Sequence, residues 1–378
     1  MIQRLAPLGF VYAAYYAGVV GTLSLWLPAR YRDLGATGTQ MGFLLSMGSL
    51  AACGVPFAVG RLADWTRRPV FVLRASLLMG SVAMLVLARA ETLAIASVSA
   101  VAMSISLCSV PTLTDSLTLE AVDRSAEKYG RVRSLGSLGY VLATAGYPIW
   151  TSSAPEVAVG LVVLGLASAC TARSGASERV SSAGAGPGAV ARLISDRRLM
   201  ALLLVFSLHW AAVGPYHSFL PIVTSDLGFS DAAASRAFAL AATAEIAGMW
   251  LVRGPPGPWL LVTFALSSLR WLLTGTATSE TSLLAVQLLH GFTFGAFVTA
   301  AQKLVVARVP QKLRATGQGL FFSVVFGVGG GLGTIASGVS YEALGGRAIF
   351  VGAAILELVA AAALLLTLGP RLTDQHAE

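Results

Sequence analysis

At 378 residues, 56% of them hydrophobic and only 12% charged, the chain falls well short of the roughly one-quarter charged fraction of soluble domains. Apolar runs of about 20 residues, each long enough for ~30 Å of hydrocarbon, recur from end to end and exclude a soluble fold. The net charge of +8 does not argue for nucleic acid as a partner, because Arg and Lys gather at every second turn between the runs, the positive-inside pattern of a membrane protein.

The opening MIQRLAPLGF has one arginine ahead of an apolar run too long for a signal-peptide core, so an uncleaved first span is expected. Span 1, about 8–28, carries Tyr12, Tyr15 and Tyr16, with Trp26 as an interfacial anchor near its outer end. Span 2, about 41–59, contains Gly42, Gly48, Gly54 and Gly60, which would let a neighbouring helix come close. The charged turn GRLADWTRRP at 60–69 leads into span 3, which reaches about residue 88. Span 4, about 93–119, contains Pro111 and Asp115. The charged stretch EAVDRSAEKYGRVRSLGS then opens span 5, which ends near Trp150, and span 6 covers about 157–172. From about 172 to 193 the composition turns to Ser, Gly, Ala and Arg, including SSAGAGPG, which is linker chemistry.

The second half repeats the rhythm. Spans 7 to 12 fall at about 199–223, 232–252, 259–276, 283–307, 317–339 and 348–368, with RGPPGP standing where the first half has its 60–69 turn. In both halves the fourth span ends in a basic turn and the fifth begins rich in glycine (GRVRSLGS against RATGQGLF). The expected fold is therefore all-α: 12 transmembrane helices in two six-helix halves, residues 1–172 and 199–378, joined by a linker at 173–198 and closing in a short tail. The side of the termini and linker holds about 19 Arg and Lys against about 5 on the other, so both termini and the linker are expected in the cytoplasm.

Cys53, Cys108 and Cys170 are odd in number and far apart in apolar runs, and read as small core residues rather than disulfide or metal partners. An ionised group at the centre of a span costs roughly 2.5–3.5 kcal/mol on insertion scales, which makes each one a functional candidate. Counted at ~1.5 Å per residue from the cytoplasmic ends, Glu245 lies about 12 Å deep, His209 about 15 Å, His290 about 17 Å and Arg270 about 19 Å, with Tyr15 and Tyr16 similar. Repeat-built transporters place substrate and coupling-ion sites near such a plane. A carboxylate that meets and leaves an arginine there would take up and release a proton, so Glu245 with Arg270 reads as a proton switch and His290 as a relay or substrate donor. The competing reading of Glu245 and Arg270 is an ion pair that only fixes helix register, and for His209 a structural hydrogen bond is favoured. Glu357, near mid-depth on span 12, is an alternative partner for Arg270. In the first half, Asp115 with Arg133, at the opening of span 5, forms a second candidate pair lining the pathway or latching its inner end.

At these residues the chain resembles the major facilitator superfamily. GRLADWTRRP resembles that superfamily's signature between spans 2 and 3, which points to Gly60, Asp64, Arg67 and Arg68 as a gating motif, although Trp65 replaces a basic residue and Arg67 a glycine. PTLTDSL around Asp115, YGRVRSLGS from Tyr129, the Ala-Glu at Glu245, Arg270–Trp271 and LHGFTFG around His290 resemble the phenylpropionate-permease-like branch, related to sugar and nucleoside proton symporters. In the related lactose-type symporters, residues matching Glu245, Arg270 and His290 handle sugar and proton. Those proteins also carry an acidic residue one turn after the histidine, and here that position is Thr293.

The resemblance implies a proton-coupled symporter, working by alternating access, for a small organic solute. A small aromatic or other carboxylate comes first, a sugar or nucleoside second, and proton-antiport efflux of hydrophobic compounds third. Cell-membrane localisation, a functional monomer and no cofactor beyond the coupling proton are expected. No GxxxxGK[ST] motif occurs for direct ATP drive. His209 and His217, eight residues apart without an acidic neighbour on their span, do not form a catalytic or metal constellation, so the chain is not read as an enzyme.

Overall fold

The computed structural model describes residues 2–122, 126–171, 187–310 and 313–369, and helix is the only regular secondary structure among them. In lipid, a helix satisfies its backbone polar groups within one segment, and the described residues of this chain are helical almost throughout accordingly. Nine of the described helices are long and apolar enough to cross a membrane. Ala126–Gly146, Ala233–Leu251 and Pro256–Thr276 are helices at the positions of the other three expected spans. The expected linker at 173–198 lies outside the described residues as far as 186. A short helix, Pro187–Ser195, follows, and Asp196 then caps span 7 by accepting from the amides of Arg198 and Leu199.

Several spans are interrupted helices. Span 1 runs as Ile2–Tyr15, a π-helical stretch Tyr16–Leu23, and Ser24–Asp33. Span 4 breaks at Cys108–Ser109 between Leu93–Leu107 and Val110–Ala121, where Pro111 in the new first turn has no amide to donate back across the break. Span 10 passes from Glu280–Val286 through a 3-10 turn, Gln287–Leu289, to a π-helical turn, Gly291–Ala296, and on to Phe297–Arg308. Span 11 contains a further π-helical stretch, Phe322–Gly329. Such widened turns recur at functional sites because they redirect side chains and loosen the carbonyl ladder.

Two compact units can be distinguished: Met1–Thr37 with Gly54–Ser181, and Gly38–Cys53 with Ser182–Glu378. Span 2 is thus shared. Its first half, Gly38–Ala51, packs along span 11 in the second unit, and its second half, Val55–Thr66, belongs to the first. Of the four span-2 glycines expected to admit a neighbour, only Gly42 does: a Cβ there would lie 2.9 Å from Gly338 Cα and 3.0 Å from the Thr334 carbonyl oxygen, whereas Gly48, Gly54 and Gly60 face open space. The amide of Thr39 donates to Glu342 Oε2 at 2.8 Å, tying the start of that half-helix to span 11.

In the first unit, spans 5 and 6 close on span 1 at Gly139, against the Ala13 backbone, and at Gly18, against the Ala158 carbonyl. The second unit is centred on Phe206, Phe264, Phe297 and Phe321, all fully buried. Spans 8 and 10 cross at backbone contact, with Gly248 against Gly291 and Gly295 against the Glu245 carbonyl.

In the 60–69 turn, Arg67 has φ +53°, in the left-handed region, at the position where the superfamily signature has a glycine. A side chain there costs roughly 1–2 kcal/mol. Arg67→Gly is therefore expected to raise the thermal stability of the purified protein by about 1 kcal/mol, and a lower melting temperature would contradict that reading.

Candidate functional site

The second unit carries a polar layer inside an apolar bundle. Arg270 on span 9 is completely buried, yet among the described residues no carboxylate forms an ion pair with it. Its Nη2 donates to Gln287 Oε1 at 2.7 Å, and its guanidinium carbon lies 4.3 Å from the Tyr216 ring centroid and 4.2 Å from that of Trp271. The expected pairing of Arg270 with Glu245 or Glu357 is thus not formed. Each carboxylate has another partner, because the rotation of spans 8 and 12 turns it toward a histidine. Glu245, about one-quarter exposed, lies 4.0 Å from His290 Nε2. Glu357 is fully buried, with Oε2 2.8 Å from His209 Nδ1 and Oε1 accepting from Trp271 Nε1 at 3.0 Å.

His290 sits against Tyr216 (ring centroids 5.4 Å) and is stacked on Phe294 (5.9 Å). Four groups in this layer hold polar atoms that are buried without a hydrogen bond: Nε and Nη1 of Arg270, Nδ1 of His290, Nε2 of His217 and the Tyr216 hydroxyl. Leaving a buried polar atom unmatched costs about 1–3 kcal/mol, and more for a charged group. A cluster of such atoms around one guanidinium between two aromatic faces is chemically suited to a planar, anionic, ring-bearing solute.

The first unit has its own layer. Asp115 does not meet Arg133 as expected, since two tyrosine hydroxyls occupy its Oδ1: Tyr12 at 2.5 Å and Tyr129 at 2.9 Å. Arg133 donates from Nη2 to the Tyr16 hydroxyl at 2.6 Å and lies over that ring at 4.2 Å. Gly136 opens the space, because a Cβ there would come within 2.8 Å of both Arg133 Nη1 and the Tyr16 ring. Tyr15 packs edge-on against Tyr16 at 5.2 Å. The Asp64 side chain lies outside the described residues, while Arg67 and Arg68 are exposed and Pro69 starts span 3. Tyr129, Tyr216 and Gln287 join the candidate residues here. Gln287 had a legible signal, an amide in an apolar run three residues before His290; the tyrosines had none beyond their type. The buried contacts of Tyr12 and Asp115 lead to one expected result. Tyr12→Phe leaves Asp115 with the Tyr129 hydroxyl alone and should lower solute uptake by about 3- to 10-fold; unchanged uptake would make the contact mere packing.

The profile of the MFS_1 like family matches residues 5–351. The chain belongs to that family. It is 25% identical to the maltose permease of Geobacillus stearothermophilus, over 91% of this chain and 89% of that one. It is also 25% identical to the probable 3-phenylpropionic acid transporter of Escherichia coli (strain K12), over 92% and 93% of the two chains. Among solved structures, the nucleoside transporter NupG superposes with a TM-score of 0.82 at 17% identity, covering 97% of this chain and 98% of that one. A bacterial homologue of the lysosomal transporter Spinster gives 0.75 at 15% identity, covering 98% and 97%. This MFS_1 like protein is therefore a multi-pass membrane transporter with the major facilitator fold, and it is not an enzyme.

Proposed function

We propose that this transporter is a proton-coupled symporter that takes up a small aromatic carboxylate by alternating access. Its termini and linker lie in the cytoplasm, and the cell membrane is its place of action. The observation that carries the substrate class is Arg270: a buried guanidinium between the Tyr216 and Trp271 faces, with Nε and Nη1 unmatched and Nη2 donating to the neutral amide of Gln287. A buried cation that no carboxylate contacts directly is costly, and an arriving carboxylate would lower that cost while its ring met the aromatic faces. The likeness to a probable 3-phenylpropionic acid transporter points the same way. A sugar is the second reading, favoured by the likeness to a maltose permease.

Coupling is assigned to Glu245 and His290. Glu245 is about one-quarter exposed and stands 4.0 Å from an imidazole that is nearly buried, so a proton can pass from one to the other as solute arrives. The test is internal pH in proteoliposomes on addition of aromatic carboxylates, sugars, nucleosides or a lipophilic cation. Proton entry with the aromatic carboxylates alone, lost in Glu245→Gln while solute exchange continues, is the expected result. Full coupling in Glu245→Gln would remove that residue from the mechanism. Outward exchange of protons for the cation would replace symport by efflux.

A further inference from the structure

The coupling scheme leaves unused a buried, fully hydrogen-bonded ionisable pair, His209 on span 7 and Glu357 on span 12. Both are completely buried. Counting hydrogens shows what they must hold. The Thr293 carbonyl, 2.9 Å from His209 Nε2, can only accept, so Nε2 carries a hydrogen. His209 Nδ1 and Glu357 Oε2 are 2.8 Å apart, and two lone pairs do not face each other at that distance, so a proton lies between them. The remaining oxygen, Oε1, accepts from the indole N–H of Trp271, which is donor only. One imidazole, one carboxylate and one shared proton make a closed, net-neutral set, whichever atom the proton sits on.

The place this set grips matters. Thr293 lies in the π-helical turn Gly291–Ala296 that directly follows His290. Its hydroxyl accepts from Ser267 Oγ at 3.1 Å, so both polar ends of Thr293 are held from outside span 10. His209 is held in turn between the Phe264 and Phe297 rings, at 5.2 and 4.1 Å. The neighbouring ionisable groups are Arg270 on span 9, His290 on span 10 and His217 on span 7, with Glu245 of span 8 beyond His290.

We propose that His209 and Glu357 are positioning residues whose shared proton is captive: they clamp the π-helical turn of span 10 and so aim His290 at Glu245, and their proton is not exchanged during transport. The transport arm of the test rests on the symport reading above; the proton arm does not. In Glu357→Gln, the amide can donate to Nδ1 and accept from Trp271, reproducing the set without an exchangeable proton. Coupled uptake of an aromatic carboxylate by that variant should match the parent within about twofold, with the same pH profile. Glu357→Leu leaves Nδ1 and the indole N–H unmatched and should lower uptake by at least about tenfold. For the proton itself, nitrogen NMR of histidine-labelled protein should show His209 with a hydrogen on Nε2 and a hydrogen-bonded Nδ1, the same with and without solute. Loss of proton coupling in Glu357→Gln with solute exchange intact would make Glu357 the proton carrier and overturn the proposal. So would a His209 ring without a hydrogen on Nε2, a His209 signal that changes when solute is added, or full activity in Glu357→Leu. If Glu357→Leu does not fold, the Gln variant and the NMR signal decide. If no solute moves protons in the parent protein, the symport reading fails and the NMR signal alone decides the captive proton.

Discussion

Arg270→Gln should abolish carboxylate uptake while leaving the protein folded. Substitution removes the buried guanidinium, its bond to Gln287 and its contacts with the Tyr216 and Trp271 rings. A charge-assisted hydrogen bond is worth roughly 1.5–3 kcal/mol, so loss of two to a bound carboxylate corresponds to a fall in transport efficiency of at least about 100-fold. Stability should move little or rise, because a buried charge in no direct ion pair is replaced by a neutral amide. Arg270→Lys separates charge from geometry: an ammonium is a point charge on a flexible stem and cannot present a fork between two rings, so partial activity with a raised KM is expected. The measurement is radiolabelled uptake of an aromatic carboxylate, with a melting curve on the same preparation. Wild-type KM in Arg270→Gln would remove the carboxylate from this site and turn attention to the uncharged solutes.

The second large effect is expected far from any ionisable group, at Gly248. A methyl group there would collide with the Gly291 carbonyl and lie 2.7 Å from Gly291 Cα, and neither backbone can swing aside. Overpacking a tight contact costs typically 1–3 kcal/mol, and a backbone clash belongs at the upper end. Gly248→Ala should therefore lower the melting temperature by several degrees. It should also impair coupling, since the crossing it forces apart is the one that holds Glu245 beside His290. Gly352→Ala is the control, because that helical glycine faces open space and alanine there should be neutral or slightly stabilising. Equal behaviour of the two variants would show that the spans can separate without cost.

How much of this could be read before the structure depended on what each feature needs. The fold was legible because an apolar run of fixed length has one outcome in lipid, and the runs could be counted. Nearness along the bundle was legible too: His209, Glu245, Arg270 and His290, counted to similar levels, fall in one polar layer. Partnership was not, because a helix can turn through any angle without changing its depth. Glu245 therefore meets His290 instead of Arg270, and Asp115 meets two tyrosines instead of Arg133. The widened turns after Tyr15 and His290 leave no mark in composition, since glycine and aromatic residues suit ordinary helix crossings as well. Span 2 looked uniform in sequence, and only packing revealed where it divides.

That division bears on how the polypeptide can be taken apart. The natural place to cut is the polar stretch between the two sets of six spans, yet a C-terminal fragment made that way would lack Gly38–Cys53. The small-residue face of span 11 at Thr334 and Gly338, shaped to meet the backbone of Gly38 and Gly42, would then be bare. Such a fragment should aggregate when produced alone and be rescued by supplying the N-terminal piece in the same cell. The boundary between the packed units is thus not the boundary in the sequence: sixteen residues from the first six spans belong to the body of the second unit.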